Sequence, residues 1–337
     1  MKTVDEFKVF YEKNLVAPLQ VLDAQRVKLR TKVMWTWVVL ALCVVGAFAI
    51  GSVFEEQLNK SPAPGIIAVF VLFYAAYFTV MSVKKKIAAY GAEFDRLIMR
   101  GMIDFIQPGL TYTPGGLLTQ ETFRGSGLFP DPRIDRYTGS DLVEGVLGVT
   151  PIRFSQVDAQ EKIHERTEHG GGRDKWRTIF KGLLFTCEFN KTFEGRTFVF
   201  PDTAERLFGW VGAALQKLHS SHGSLVKLED PEFEKRFVVY GDSQVVARYV
   251  LSPALMSRLT DFKDKSKRWV GLAFVQSSVY VAIGYPETLF RPSLFRSMLN
   301  FERIRKSFDA LALMLGIVED LNLNVRIWGD RAALPPG

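Results

Sequence analysis

Two apolar runs near the start of the chain constrain its fold more than any other feature. Residues 33–54, VMWTWVVLALCVVGAFAIGSVF, and residues 65–83, GIIAVFVLFYAAYFTVMSV, contain no charged side chain. A hydrocarbon core of about 30 Å needs about 20 helical residues at 1.5 Å each, so either run is long enough to span a bilayer. The core helix of a soluble protein keeps a polar stripe over such a length. A signal peptide fits poorly, because several acidic residues precede the first run and no small-residue cleavage site separates it from the second.

The flanks give an orientation. Arg26, Lys28, Arg30 and Lys32 precede the first run and Lys84, Lys85 and Lys86 close the second, whereas the intervening EEQLNKSPAP holds one Lys against two Glu. Positive charge stays on the cytoplasmic side. Both termini are therefore expected in the cytoplasm, with two spans in a bacterial inner membrane. The 337 residues carry a formal charge of +7, and much of that excess lies beside the spans, where each cation gains about 1 kcal/mol from anionic headgroups. Membrane lipids are the expected partners. Nucleic acid is not, since no binding module accompanies the charge. Cys43 and Cys187 are the two cysteines, and they form no secreted disulfide framework.

The expected organisation has four parts: a cytoplasmic N-terminal helical segment at 1–32, a transmembrane hairpin at 33–83, an amphipathic helical stalk at 84–109 and a cytoplasmic α+β domain at 110–337. In the first part Val4, Phe7 and Tyr11 belong to a short helix and a second helix opens at Pro18. In the stalk Tyr90, Phe94, Ile98, Met102 and Phe105 recur at spacings of three and four until Gln107-Pro108-Gly109 breaks the pattern. In the last part TIFKGLLFTCEFN and GRTFVFPD read as antiparallel strands joined at NKTFEG, and KRWVGLAFVQ with SVYVAIGYP as a hairpin around Gln276-Ser277-Ser278. The strands at PIRFSQV and TIFKG join through a tip running from near Val157 to near Thr178. Helices are expected at Thr203–His219, at Ser252–Lys263 with Ser252 as N-cap and Pro253 as first residue, and at Pro292–Asn322. The fold class is α+β, with an N-terminal two-helix transmembrane hairpin and helical extensions, followed by antiparallel strands and helices.

Each catalytic pattern fails on spacing. Gly241-Asp242-Ser243 after FVVY imitates a nucleophile block, but the histidines at 164, 169, 219 and 222 all precede Ser243, so no downstream base exists. A turn with Asp242 or Ser243 capping a helix is expected instead. His164 and His169 are five apart, about 140° out of line on a helix. HGGG at 169–172 has no G-x-S-x-G partner. Asp131, Asp135 and Asp141 miss the alternation of a calcium loop, His219 and His222 with Cys187 are a poor zinc set, and both phosphate-binding glycine motifs are absent. No catalytic residue, metal or cofactor is expected.

Two surfaces remain. In TLFRPSLFRSMLNFERIRKSF, residues 288–308, the cations Arg291, Arg296, Arg303, Arg305 and Lys306 flank an apolar face at helical spacing. Such a helix either lies in the headgroups, with Lys84, Lys85 and Lys86 as further contacts, or packs on the sheet with its arginine stems over apolar surface. Asp141, Glu188, Asp202 and Asp242 are candidates for a partner or ligand surface. They would serve a membrane-bound enzyme or small-ligand sensor only by converging in one pocket. Arg248, in an otherwise apolar helix, is expected as a buried ion-pair partner.

The blocks FRGSGLF (123–129), YTGSDLVEGVLGVTPIRFSQV (137–157), FKGLLFTCEFNKTFEGRTFVFPD (180–202) and LEDPEFEKRFVVYGDSQVVARYVLSPALMSRL (228–259), with the paired spans and LAFVQSSVYVAI, together resemble a bacterial membrane protein family catalogued as domain of unknown function 3137. The resemblance covers most of the chain. It implies an inner-membrane protein with a cytoplasmic domain and no established enzymatic activity, and a LemA-type membrane protein as a partner. No catalytic residues carry across. The expectation is a membrane-anchored, non-enzymatic interaction or scaffold protein, with the enzyme or sensor as the alternative.

Overall fold

The computed structural model describes residues 2–53, 63–129, 133–166, 172–188, 195–202, 222–286 and 290–331. The expected helix at Thr203–His219, the residues Asp131, His169 and His219, and the loop between the apolar runs lie outside them. The chain is α+β and divides into two units. A helical unit takes Asp5–Gly101 and Arg291–Ile304; a sheet unit takes Met1–Val4, Met102–Phe290 and Arg305–Gly337.

The helical unit begins with α1 (Val4–Phe10) and α2 (Val16–Val53), joined without a break by a π turn at Tyr11–Leu15. The helix start expected at Pro18 is therefore corrected: Pro18 lies inside one long helix. Proline lacks an N–H and crowds the carbonyl four residues back. The wider turn just upstream, in which the Val16 N–H bonds to the Tyr11 carbonyl, is the kind of local adjustment that accommodates it. α3 (Ala63–Phe94) continues through a second π turn, Asp95–Met99, into α4 (Arg100–Ile106). After Leu15, the fully buried positions of α2 are Leu19, Leu22, Arg26, Leu29 and Thr36, and with the half-buried Val33 they follow at alternating spacings of four and three. That spacing makes one narrow seam. Contacts of α2 with α3 and its extension descend in order, Leu15 near Gly101 and Gly46 near Leu72, so the two helices run antiparallel.

Residues 291–300 are irregular, and helix α9 begins only at Phe301 (Phe301–Arg331). The expected helix start at Pro292 is corrected, for a reason lodged in remote side chains. The carbonyls that a helix would use internally accept from elsewhere: Leu294 from Arg26 Nη1 at 3.1 Å, Ser297 from Arg303 Nη1 at 3.2 Å and Leu299 from the Tyr11 hydroxyl at 2.6 Å. Asn300 then accepts the Glu302 N–H and starts the helix.

The sheet unit contains β1 (Thr111–Thr113), β2 (Arg136–Leu147), β3 (Thr150–Arg166), β4 (Gly172–Glu188), β5 (Arg196–Pro201), β6 (Ser224–Val226), β7 (Phe237–Gly241), β8 (Val270–Val275) and β9 (Ser278–Gly284). They form an antiparallel sheet in the order β1-β2-β3-β4-β9-β8-β5-β7-β6. The β8–β9 hairpin stands as read from the sequence, with Gln276 at φ 54° in its turn. The β4–β5 pairing is overturned: β4 pairs with β9 and β5 with β8, so the later hairpin inserts between them. Gly182 permits the β4–β9 register, because a Cβ there would collide with the Ile283 carbonyl. The β3 and β4 strands also run well into the tip expected between Val157 and Thr178. Its strands stay paired from Glu161–Arg177 out to Arg166–Gly172, beyond the reach of β2 and β9.

Short helices fill the intervals: α5 (Gln120–Gly125), α6 (Pro231–Glu234), α7 (Gln244–Val250) and α8 (Pro253–Ser266). The caps read from the sequence are in place. Ser243 accepts from the Val246 N–H, and Ser252 from Leu255 with Pro253 at the first helical position; Asp230 also caps α6, accepting from Glu232 and Phe233. One aromatic core packs Phe123 of α5 flat on Phe129 at 4.7 Å and against Phe180 at 6.0 Å, with Trp269 beyond. In β8 the run Val270 to Phe274 is buried at every position, so both faces of the sheet are covered there.

Candidate membrane-facing surface and the acidic residues

Outside its seam α2 is bare. Trp37 is 69% exposed and Phe48 79% exposed, and on α3 Phe70 and Phe73 are equally open. Among the described residues one helix, Val4–Ala49, is long and apolar enough to cross a membrane, and only 6% of its most apolar window is buried inside the protein. Exposed apolar patches of a few hundred Å² are already unusual in soluble monomers. Such a surface needs a cover, and a helix apolar all round is one that lipid or a protein core satisfies. Lys84, Lys85 and Lys86 are exposed on α3 just past the second apolar run, and Lys32 is exposed on α2 just before the first.

The basic segment is held by groups that the sequence reading missed. Arg26, 6% exposed on the α2 seam, donates through Nε to Asp23 Oδ1 at 2.8 Å while reaching the Leu294 carbonyl. The Ser297 hydroxyl donates to the same Asp23 oxygen at 2.6 Å. Hydrogen bonding from Arg26, with a smaller contribution from Ser297, holds the Asp23 carboxyl below the usual carboxylate range against some desolvation. The signal was present: Arg26 occupies a position that the four-three alternation assigns to the seam. Arg291 and Arg296 are exposed, as are Phe295 and Lys306; Arg303 is tied to Ser297, and Arg305 pairs with Asp309 at 3.4 Å.

Residues 178–323, from within β4 to within α9, match the family described as "Protein of unknown function (DUF3137)". No curated protein matches the chain. Among solved structures, the crystal structure of the mycobacterial trehalose monomycolate transport factor A, TtfA, aligns at 10% identity, covering 61% of this chain and 78% of that one, with a TM-score of 0.31.

Three of the four candidate carboxylates, Glu188, Asp202 and Asp242, lie within the matched residues, and Asp141 lies before them. The structure does not bring them together. Asp141, 2% exposed, sits at a bulge in β2 with φ 65° and accepts hydrogen bonds from the Tyr112 and Ser140 hydroxyls. Glu188 ends β4 in an exposed pair with Arg153 at 3.3 Å. Asp202 is exposed past the far end of β5, where its N–H bonds to the Arg236 carbonyl. Asp242 follows β7 and accepts from both the backbone N–H and the guanidinium of Arg196 at 3.0 Å. Four strand steps separate β4 from β7, roughly 19 Å at 4.8 Å each. The Asp141, Glu188 and Asp242 carboxylates each have a local structural partner. Among the described residues no three metal-ligating side chains cluster.

Other near-misses resolve similarly. Ser243 is a helix cap, His222 is buried against Phe198 with Nε2 at 2.6 Å from the Gly127 carbonyl, and His164 pairs with Asp174 across the β3–β4 ribbon. Burial pushes the Cys187 thiol up, leaving it an inert core residue. Arg248 is corrected: it is exposed and donates to the Lys227 carbonyl rather than forming a buried ion pair.

Proposed function

We propose that this chain is a membrane-anchored, non-enzymatic interaction protein of the bacterial inner membrane, in which α2 and α3 form a two-span hairpin and the sheet unit works on the cytoplasmic side. The observation that carries the reading is the bare apolar surface of α2 outside its seam, bounded by Lys32 on that helix and by Lys84–Lys86 on its neighbour. Buried in lipid, that surface costs nothing to expose, and the lysines meet the headgroups. In this reading the sheet unit binds another membrane protein, of the LemA type, or the inner leaflet. The dispersal of the four carboxylates, three of them with a structural partner of their own, lends the enzyme or sensor reading no support.

Reporter fusions test the topology. A phosphatase or fluorescent domain fused after Gly337 is expected to behave as cytoplasmic, and one inserted at Asn59 as periplasmic; reversed signals would sink the reading. Cross-linking in native membranes followed by mass spectrometry tests the partner, with other membrane proteins as the expected products. Recovery of soluble metabolic enzymes alone would count against a scaffold at the bilayer.

A further inference from the structure

Between α2 and α3 lies a groove of about 430 Å³, open to the side and lined by Lys32, Trp35, Val39, Phe78, Ser82 and Val83. Its chemistry changes along its length. Lys32 of α2 stands at the mouth, and Lys86 of α3, three residues past the lining Val83, interacts with it and holds Lys32 below the ordinary lysine range. Two ammonium groups brought together favour an anion beside them. Deeper in, Thr36 and Thr79 also line the groove, but their hydroxyls donate to carbonyls of their own helices, Lys32 at 2.9 Å and Ala75 at 2.8 Å. The walls below the mouth are otherwise mostly apolar.

Cationic at one end and apolar along the rest, the groove complements a molecule with a phosphate head and a hydrocarbon tail. Inorganic phosphate would engage the mouth alone and leave the apolar walls unfilled. Lys32 directly precedes the first apolar run and Lys86 lies just beyond the second, so on the membrane-spanning reading both ammonium groups sit at headgroup depth. Basic pockets between spans on the cytoplasmic side suit anionic headgroups.

We propose that this groove is a binding site for one anionic phospholipid of the inner leaflet, with its phosphate on Lys32 and Lys86 and one acyl chain along Trp35, Val39, Phe78 and Val83. The proposal rests on the two-span reading and adds to it a defined lipid class and stoichiometry. Lys84 and Lys85 are expected to meet the bulk leaflet without contributing to the site.

The test uses the full chain released from membranes in mild detergent, with native mass spectrometry reading bound lipid. Phosphatidylglycerol and phosphatidylcholine with identical acyl chains are the probes. The parent is expected to retain one phosphatidylglycerol about tenfold more tightly than phosphatidylcholine, a ratio that two headgroup-depth cations can supply. Lys32→Gln with Lys86→Gln removes the preference. Lys84→Gln with Lys85→Gln, an equal loss of charge outside the groove, preserves it. Val39→Trp fills the groove and lowers retention with every cation intact. Equal retention of the two lipids by the parent, equal loss in both double variants, or displacement of the lipid by inorganic phosphate would overturn the site. Alkaline carbonate extraction of the same membranes separates the two readings: release of the parent chain would sink the anchor itself, whereas retention of every variant without a phosphatidylglycerol preference would sink the lipid site alone.

Discussion

Asp141 couples an unusual backbone to a buried carboxyl group. Its φ of 65° places it in the left-handed region, where Asp and Asn are tolerated better than other side chains, and the bulge it occupies shifts the β2–β3 register between Ser140 and Val143. Asp141→Ala leaves the Tyr112 and Ser140 hydroxyls without this acceptor in a buried site, and calorimetric unfolding is expected to show a loss of about 2–4 kcal/mol. Asp141→Asn keeps one acceptor oxygen and the backbone preference, and should lose about half as much. Asp23 makes a prediction about pH. Its folded carboxyl titrates below the unfolded value near 3.9, so the stabilisation is fully present above that value and is lost as pH falls through the depressed folded one. Hydrogen exchange at residues 294–299, corrected for intrinsic rates, should accelerate severalfold between pH 5 and pH 3. In Asp23→Asn the corrected rate should already be fast at pH 5 and change little over that range.

At the scale of elements, the parts legible in the sequence are those whose causes are local. Ser252 followed by Pro253 specifies the start of α8 because the hydroxyl reaches an N–H three residues on; Ser252→Ala is expected to cost about 1 kcal/mol and Ser252→Asp very little, by denaturant titration. The cap at Ser243 and the turn at Gln276 were readable for the same reason. What failed was pairing at a distance. Nothing in TIFKGLLFTCEFN distinguishes a neighbour that follows at once from one that arrives after residue 270, and nothing in SLFRSMLN announces that Tyr11 and Arg26 will take its carbonyls. The β3–β4 ribbon was underestimated because its outer rungs carry charge, not an apolar alternation. Glu161 meets Arg177 and Glu165 meets Lys175, with Lys162 and His164 both on Asp174. Exposed pairs of this kind contribute about 0–1 kcal/mol each. Replacing residues 162–175 with a short glycine turn should therefore move the unfolding midpoint by only a few degrees; a larger fall would show that the ribbon supports the sheet.

At the scale of the whole molecule, the described residues join a helical unit that uses one narrow seam to a sheet unit covered on both faces at its centre. The candidate acidic site was readable as residues but not as an arrangement, since strand order decides that Asp141, on β2, and Asp242, just after β7, lie near opposite edges of the sheet. The same order predicts that a chain stopped after Lys267 leaves β4 and β5 without the β8–β9 hairpin that separates them. It should pellet as aggregate where the full chain stays dispersed in detergent, and full recovery of the truncated chain in solution would refute this account. There is a temporal side to that arrangement. β4 must wait for β9, roughly ninety residues later, and at about 5–20 residues per second a ribosome needs roughly 5–20 s to make them. During that interval the largely buried run Ile179 to Cys187 is an unpartnered sticky edge held close to its own synthesis site, which makes the order of manufacture a burden on this chain that its finished form no longer displays.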